Sequence, residues 1–175
     1  MADDIQKIWE GKSWAVEETM ALGEAVGGMV IGGDVIALEG ELGAGKTQFV
    51  RGVAKGMGLD ERGVSSPTFV LVHEYDDGVS GRVLVHLDAY RLNGPEDLES
   101  IGWDEHEGGF GGDVVVAVEW ATRMLDWLGE EVLRVKLRHV SETDREIEVW
   151  GQGRWLSLVK ELAQSMSQAV GGAAE

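Results

Sequence analysis

Apolar positions along the chain switch between helical and strand periods. The segment SWAVEETMALGEAVGGMV places Val16, Met20, Ala21, Val26 and Met29 at helical spacing, which predicts an amphipathic helix. Residues 34–39, DVIALE, form a short apolar run bounded by glycine and predict a buried strand. KTQFVRGVAKGM then predicts a helix ended by Gly58. TFVLVHEY (68–75) and RVLVHLD (82–88) read as strands on either side of the turn-rich DDGVSG. PEDLESIGWDEH opens with Pro95 and acids, as the first turn of a helix does. DVVVAVEW (113–120) predicts another buried strand, followed by a helical ATRMLDWLG. EVLRVKLRHV and REIEVWGQ alternate apolar and polar residues, as an antiparallel pair near a sheet edge would. A last helix starts near Trp155. Strands alternating with helices predict an α/β domain with a mainly parallel central sheet flanked by helices, and antiparallel strands at its C-terminal edge. One domain over residues 1–170, with a frayed tail at 171–175, accounts for the length.

Composition narrows the class. The formal charge is −17, with 32 acids against 15 Lys and Arg, and no block of cations stands out. Capture of a nucleic-acid backbone depends on Lys and Arg, so tight direct binding of DNA or RNA is not expected. Cysteine is absent and the four histidines show no paired spacing, which removes disulfides, thiolate chemistry and zinc sites. No apolar run reaches the length of a membrane helix, and the N-terminus lacks a secretory pattern. A cytoplasmic protein is the simplest expectation.

Candidate chemistry centres on GELGAGKTQF, where Gly40, Gly45, Lys46 and Thr47 fit G-x-x-x-x-G-K-[ST]. Gly43 and Gly45 let the backbone curl around a phosphate, the following helix adds its positive end, and Lys46 reaches the β- and γ-phosphates. The Thr47 hydroxyl is a Mg²⁺ ligand in such loops. Two buried strands end in acids, Asp88 and Glu119, and strand ends are where ligands bind an open parallel sheet. One acid could serve the metal while the other orients the attacking water. Pro67 makes SSPTF a stiff elbow, on which a threonine could meet the γ-phosphate. Trp120, directly after Glu119, could line the nucleotide site. GGFGG has no Lys or Thr and reads as a flexible loop. N-K-x-D is impossible because the one asparagine, Asn93, precedes Gly94, so ATP is favoured over GTP.

The motifs EETMALG, GDVIALEGELGAGKTQF, VSSPTFVLVHEY, HLDAYRL and VEW, in this order over residues 13–123, resemble the TsaE (YjeE) family. That resemblance implies a P-loop ATPase fold, ATP and Mg²⁺, and a role in bacterial tRNA threonylcarbamoyladenosine biosynthesis, where it supports the TsaD–TsaB transferase. It implies that Thr19, Leu42, Gly43, Ala44, Gly45, Lys46, Thr47 and Trp120 bind nucleotide. It further implies that Thr47 and Glu119 ligand Mg²⁺, that Lys46, Asp88 and Glu119 serve hydrolysis, and that Thr68 senses the γ-phosphate. Gln48 stands where the family commonly has a second Thr. A small-molecule or nucleotide kinase and a non-hydrolysing ATP-gated binding module are the alternative uses of the same loop.

Overall fold

The computed structural model describes residues 5–67, 71–104 and 109–171. Seven strands form one sheet in the order β1-β7-β6-β2-β5-β4-β3. They are β1 (Gln6–Ser13), β2 (Val35–Glu39), β3 (Val72–Asp76), β4 (Val83–Asp88), β5 (Val114–Glu119), β6 (Val132–His139) and β7 (Arg145–Gly151). The helices are α1 (Val16–Gly27), α2 (Lys46–Gly56), α3 (Pro95–Ser100) and α4 (Val159–Gly171). β4, β5, β2 and β6 run parallel, and the near-continuous apolar runs of β4, β5 and β2 are the signature of strands covered on both faces. Antiparallel partners extend the sheet, with β3 beside β4 and the pair β7–β1 beside β6.

Two apolar layers result. Ile36, Leu38, Leu84 and Ala117 face α1, α2 and α4 across a core that includes Leu22, Phe49, Val53 and Trp155. Val35, Ala37, Val85, Leu87 and Val118 face the other way, toward Leu98 of α3 and Trp103. Within the first layer, α1 and α2 approach so closely that glycines occupy the crossing. A Cβ on Gly23 or Gly27 would strike the carbonyl of Phe49 or Val53, and one on Gly52 or Gly56 would strike that of Met20 or Glu24. The four-residue spacing of each pair puts both glycines on one helix face.

Three departures from the sequence reading have physical causes. The antiparallel edge formed by β6 and β7 carries one strand more than expected, because β1 pairs outside β7 from Gln6↔Gly151 to Ser13↔Arg145. β1 escaped notice because a register shift between Lys7 and Trp9 buries the adjacent Ile8 and Trp9 together. A bulge of that kind destroys the period-2 alternation by which strands are read. The segment after β5 is not a helix but two 3-10 turns, Ala121–Arg123 and Leu125–Trp127. Only residues 120–131 connect β5 to β6, and they must return along a strand of about 17–20 Å. An α-helix rising 1.5 Å per residue would use nearly all of them and leave none for turns. Finally, α3 stops at Ser100, well short of the helical reading.

Candidate functional site

β2 and α2 are joined by residues 40–45, and the loop's shape follows from its glycines. Gly43 and Gly45 have φ of +80° and +102°, values that side chains with a Cβ rarely adopt. A Cβ on Gly43 would meet nothing within 4 Å, so this turn faces open space. α2 opens on Gly45, which has no side chain to cap the first-turn amides. Phe49 donates to Gly45 O at 3.0 Å, so the N–H groups of Lys46, Thr47 and Gln48 precede the first intrahelical bond. Uncapped amides at the positive end of a helix are anion donors. Lys46 is only 5% exposed, and its ammonium rests on the Gly40 and Glu41 carbonyls at 2.6 and 2.9 Å. It also lies 4.4 Å from the Trp120 ring centroid. Burial lowers the Lys46 pKa from its ordinary value, partly offset by the charges of Glu119, Asp88 and Glu41.

The two strand-end acids meet this loop because β4 and β5 run parallel in register, with Asp88 opposite Glu119. The Thr47 hydroxyl donates to Glu119 Oε1 at 2.9 Å. Burial pushes the Glu119 carboxyl up, but hydrogen bonds from His86 and Thr47 and the Lys46 charge outweigh it and hold the pKa below the usual value. Asp88 has two attachments: it lines the cleft and accepts the Tyr90 N–H at 2.9 Å, capping the 3-10 turn Ala89–Arg91. Trp120 follows β5 in the left-handed conformation (φ +59°), the one non-glycine among the described residues to do so. Its ring tilts against Tyr90 at 5.2 Å between centroids.

One cleft of about 360 Å³ collects these groups. Thr19, Leu42, Gly43, Gly45, Lys46, Thr47, Asp88, Glu119 and Trp120 all line it. Leu42 is 87% exposed on its rim, whereas Thr19 is buried with its hydroxyl 2.8 Å from that of Ser13. Ala44 does not line the cleft: it is buried behind the loop, and its N–H donates to Glu41 O at 3.1 Å. Thr68, expected at the γ-phosphate, lies outside the described residues. A hydroxyl and a carboxylate in contact, both hard oxygen donors, suit Mg²⁺. No group of three or more metal-ligating acids or histidines occurs among the described residues, so protein atoms there would supply only part of a Mg²⁺ ligand set, the rest coming from water or phosphate oxygens.

Arg145 is the residue that sequence reasoning missed. Its guanidinium donates to five carbonyls: Gly43 at 3.0 Å, Ala44 at 3.1 Å, Ser141 and Asp144 at 2.9 Å, and Glu142 at 3.4 Å. It ties the phosphate loop to the β6–β7 turn, whose Thr143 also reaches the cleft. No local pattern announces its link to the phosphate loop, since Gly43 and Ala44 lie about a hundred residues away. Arg145→Ala is expected to weaken nucleotide affinity about tenfold, roughly 1.4 kcal/mol, by loosening the loop. Hydrogen exchange at residues 41–45 should quicken in the same variant, and unchanged exchange would show that the loop holds itself.

Comparison with known proteins is consistent across three kinds of match. A family model described as "Threonylcarbamoyl adenosine biosynthesis protein TsaE" matches residues 14–147. The TsaE protein of Bacillus subtilis is 40% identical over 149 residues, which cover 85% of this chain and 89% of that one. The TsaE protein of Mycobacterium tuberculosis is 38% identical over 147 residues, covering 79% and 84%. The crystal structure of Bacillus subtilis YdiB superposes with a TM-score of 0.69 at 30% identity, covering 93% of this chain and 98% of that one. The architecture is thus that of a P-loop NTPase-like α/β fold.

Proposed function

The chain belongs to the TsaE family of threonylcarbamoyladenosine biosynthesis proteins, and from that premise we propose that it is the pathway's Mg²⁺-dependent ATPase. It acts on ATP in support of turnover by a TsaD–TsaB transferase, which modifies the adenosine beside the tRNA anticodon. The observation that carries this reading is the Thr47–Glu119 hydrogen bond set beside the uncapped amides of α2 and the buried Lys46.

Each residue has work that its position permits. Amides of residues 45–48 and the Lys46 ammonium bind the triphosphate, with Lys46 leaving the Gly40 and Glu41 carbonyls for phosphate oxygens. Thr47 Oγ1 and the Glu119 carboxylate would hold Mg²⁺, which would supply positive charge against the phosphate oxygens. Asp88, beside Glu119 across the β4–β5 register, orients water for in-line attack. Trp120, its ring against Tyr90, lines one side of the cleft. A kinase would need a cationic clamp on the transferred phosphoryl group. Arg145, the arginine lining this cleft, has its guanidinium engaged by backbone carbonyls instead. With a charge of −17, the protein reaches tRNA through its partners rather than by gripping it.

The test is ADP release from ATP, measured with and without TsaD and TsaB. Partner-dependent hydrolysis supports the ATPase, and nucleotide binding with no turnover under any condition refutes it. Lys46→Ala is expected to weaken ATP binding about 100-fold, near 2.7 kcal/mol, with an unchanged melting temperature in the absence of nucleotide. Wild-type affinity in that variant would remove Lys46 from the phosphate site.

A further inference from the structure

His86 is fully buried, yet it belongs to neither the phosphate loop nor the acids. It lies on β4 two residues before Asp88, on the same strand face, and directly opposite Ala117 in the β4–β5 register. The small alanine at that position leaves room for the imidazole to reach the next residue on that face of β5, Glu119. His86 Nε2 is 2.9 Å from Glu119 Oε1. A carboxylate only accepts, so Nε2 carries the proton and donates. Thr47 donates to the same oxygen, also at 2.9 Å. Oε1 therefore holds two donors, while Oε2 accepts no hydrogen bond from the described residues. The other imidazole nitrogen, Nδ1, is buried with no hydrogen-bond partner among the described residues.

This arrangement is costly unless it does something. An imidazole in an apolar layer with one nitrogen unsatisfied is less stable than a hydrocarbon of the same shape. Leu84, two positions earlier on the same face, is an aliphatic member of that buried layer. We propose that His86 is a positioning residue, whose buried N–H pins Oε1 of Glu119 and so reserves Oε2 for the divalent ion that accompanies the nucleotide. The inference rests on the metal reading given above, and it adds the group that gives the metal ligand its orientation. Partners of this kind around metal ligands typically change metal affinity 10- to 100-fold when removed.

The experiment measures Mn²⁺ binding to the protein–ADP complex by electron paramagnetic resonance, alongside ADP affinity in excess EDTA. In His86→Leu, Mn²⁺ affinity should fall at least about tenfold while ADP affinity in EDTA stays within about twofold. His86→Gln, whose amide can place an N–H near the Nε2 position, should recover most of the metal affinity. His86→Asn, too short to reach Oε1, should behave like His86→Leu and replaces it if the leucine variant does not fold. Equal losses with and without metal would mean that His86 only supports the fold, and overturn the proposal. So would a glutamine variant as weak as the asparagine one, or no change in any variant. Wild-type protein whose ADP complex binds no Mn²⁺ would overturn the metal reading and this inference together. Intact wild-type metal binding with unaffected variants would overturn the positioning role alone.

Discussion

Glu119→Gln is expected to lower ATP hydrolysis by about a thousandfold or more, close to 4 kcal/mol of barrier, at millimolar Mg²⁺. Glutamine is chosen over alanine because the side-chain oxygen remains to accept from Thr47 and His86. Alanine would strand the buried His86 N–H, a loss of about 1–3 kcal/mol in stability that would blur the result. What glutamine removes is the charge. The carboxyl is held below its usual pKa by its two hydrogen bonds and Lys46 despite the opposing effect of burial, so it is an anion at neutral pH. With the amide oxygen held by Thr47 and His86, an NH₂ group that cannot ligate Mg²⁺ stands in place of Oε2, and with the carboxylate goes the charge that would face the phosphate oxygens through the ion. Nucleotide binding in EDTA should be unchanged or tighter, because a carboxylate near the phosphates has been neutralised. Hydrolysis within about tenfold of wild type would sink the assignment of Glu119 to the metal. In that event Asp88, its neighbour across the register, would be the acid to test next.

The second large effect concerns the fold. Gly52→Ala is expected to destabilise the protein by about 3 kcal/mol, roughly a 10 °C fall in melting temperature for a chain of this size. The sign is the informative part. Gly52 sits inside α2, and replacing an interior helical glycine with alanine ordinarily stabilises by up to about 1 kcal/mol. Here a methyl would collide with the Met20 carbonyl of α1 and crowd the Glu24 amide, and backbone atoms cannot swing aside as a side chain would. Gly63→Ala is the control: its Cβ would meet nothing within 4 Å, and a change within about 0.5 kcal/mol is expected. The consequence extends to the cleft. α1 carries Thr19, whose Cγ2 lies 3.5 Å from where a Cβ on Gly45 would be, so prising the helices apart widens the nucleotide site as well. If Gly52→Ala melts at or above the wild-type temperature, the helices do not cross as closely as described.

The phosphate loop was legible because its requirements are local. Positive φ at Gly43 and Gly45, free amides at the start of α2 and a lysine one residue on are properties of six consecutive residues, and a short spacing encodes them. Asp88 and Glu119 were legible for a different reason. Each ends an apolar run, and the C-terminal ends of parallel strands share one edge of the sheet. Trp120 was found by adjacency alone, although the left-handed backbone that aims it at Lys46 was not foreseen.

What the sequence did not disclose depends on contacts between distant segments. β1 is recognisable only through its pairing with β7, since its bulge hides its alternation. Arg145 acquires meaning only when the β6–β7 turn folds over carbonyls of the loop about a hundred residues earlier. His86, one of four unpaired histidines in the sequence, becomes a partner of Glu119 only when the strands align and Ala117 leaves it space. The linear chain therefore determined the α/β class, the glycine loop ahead of α2 and the two strand-end acids, because periodicity and short motifs are set by neighbouring residues. Tertiary structure alone decided which side chains hold those groups in place, because a hydrogen bond between distant residues has no sequence spacing to mark it.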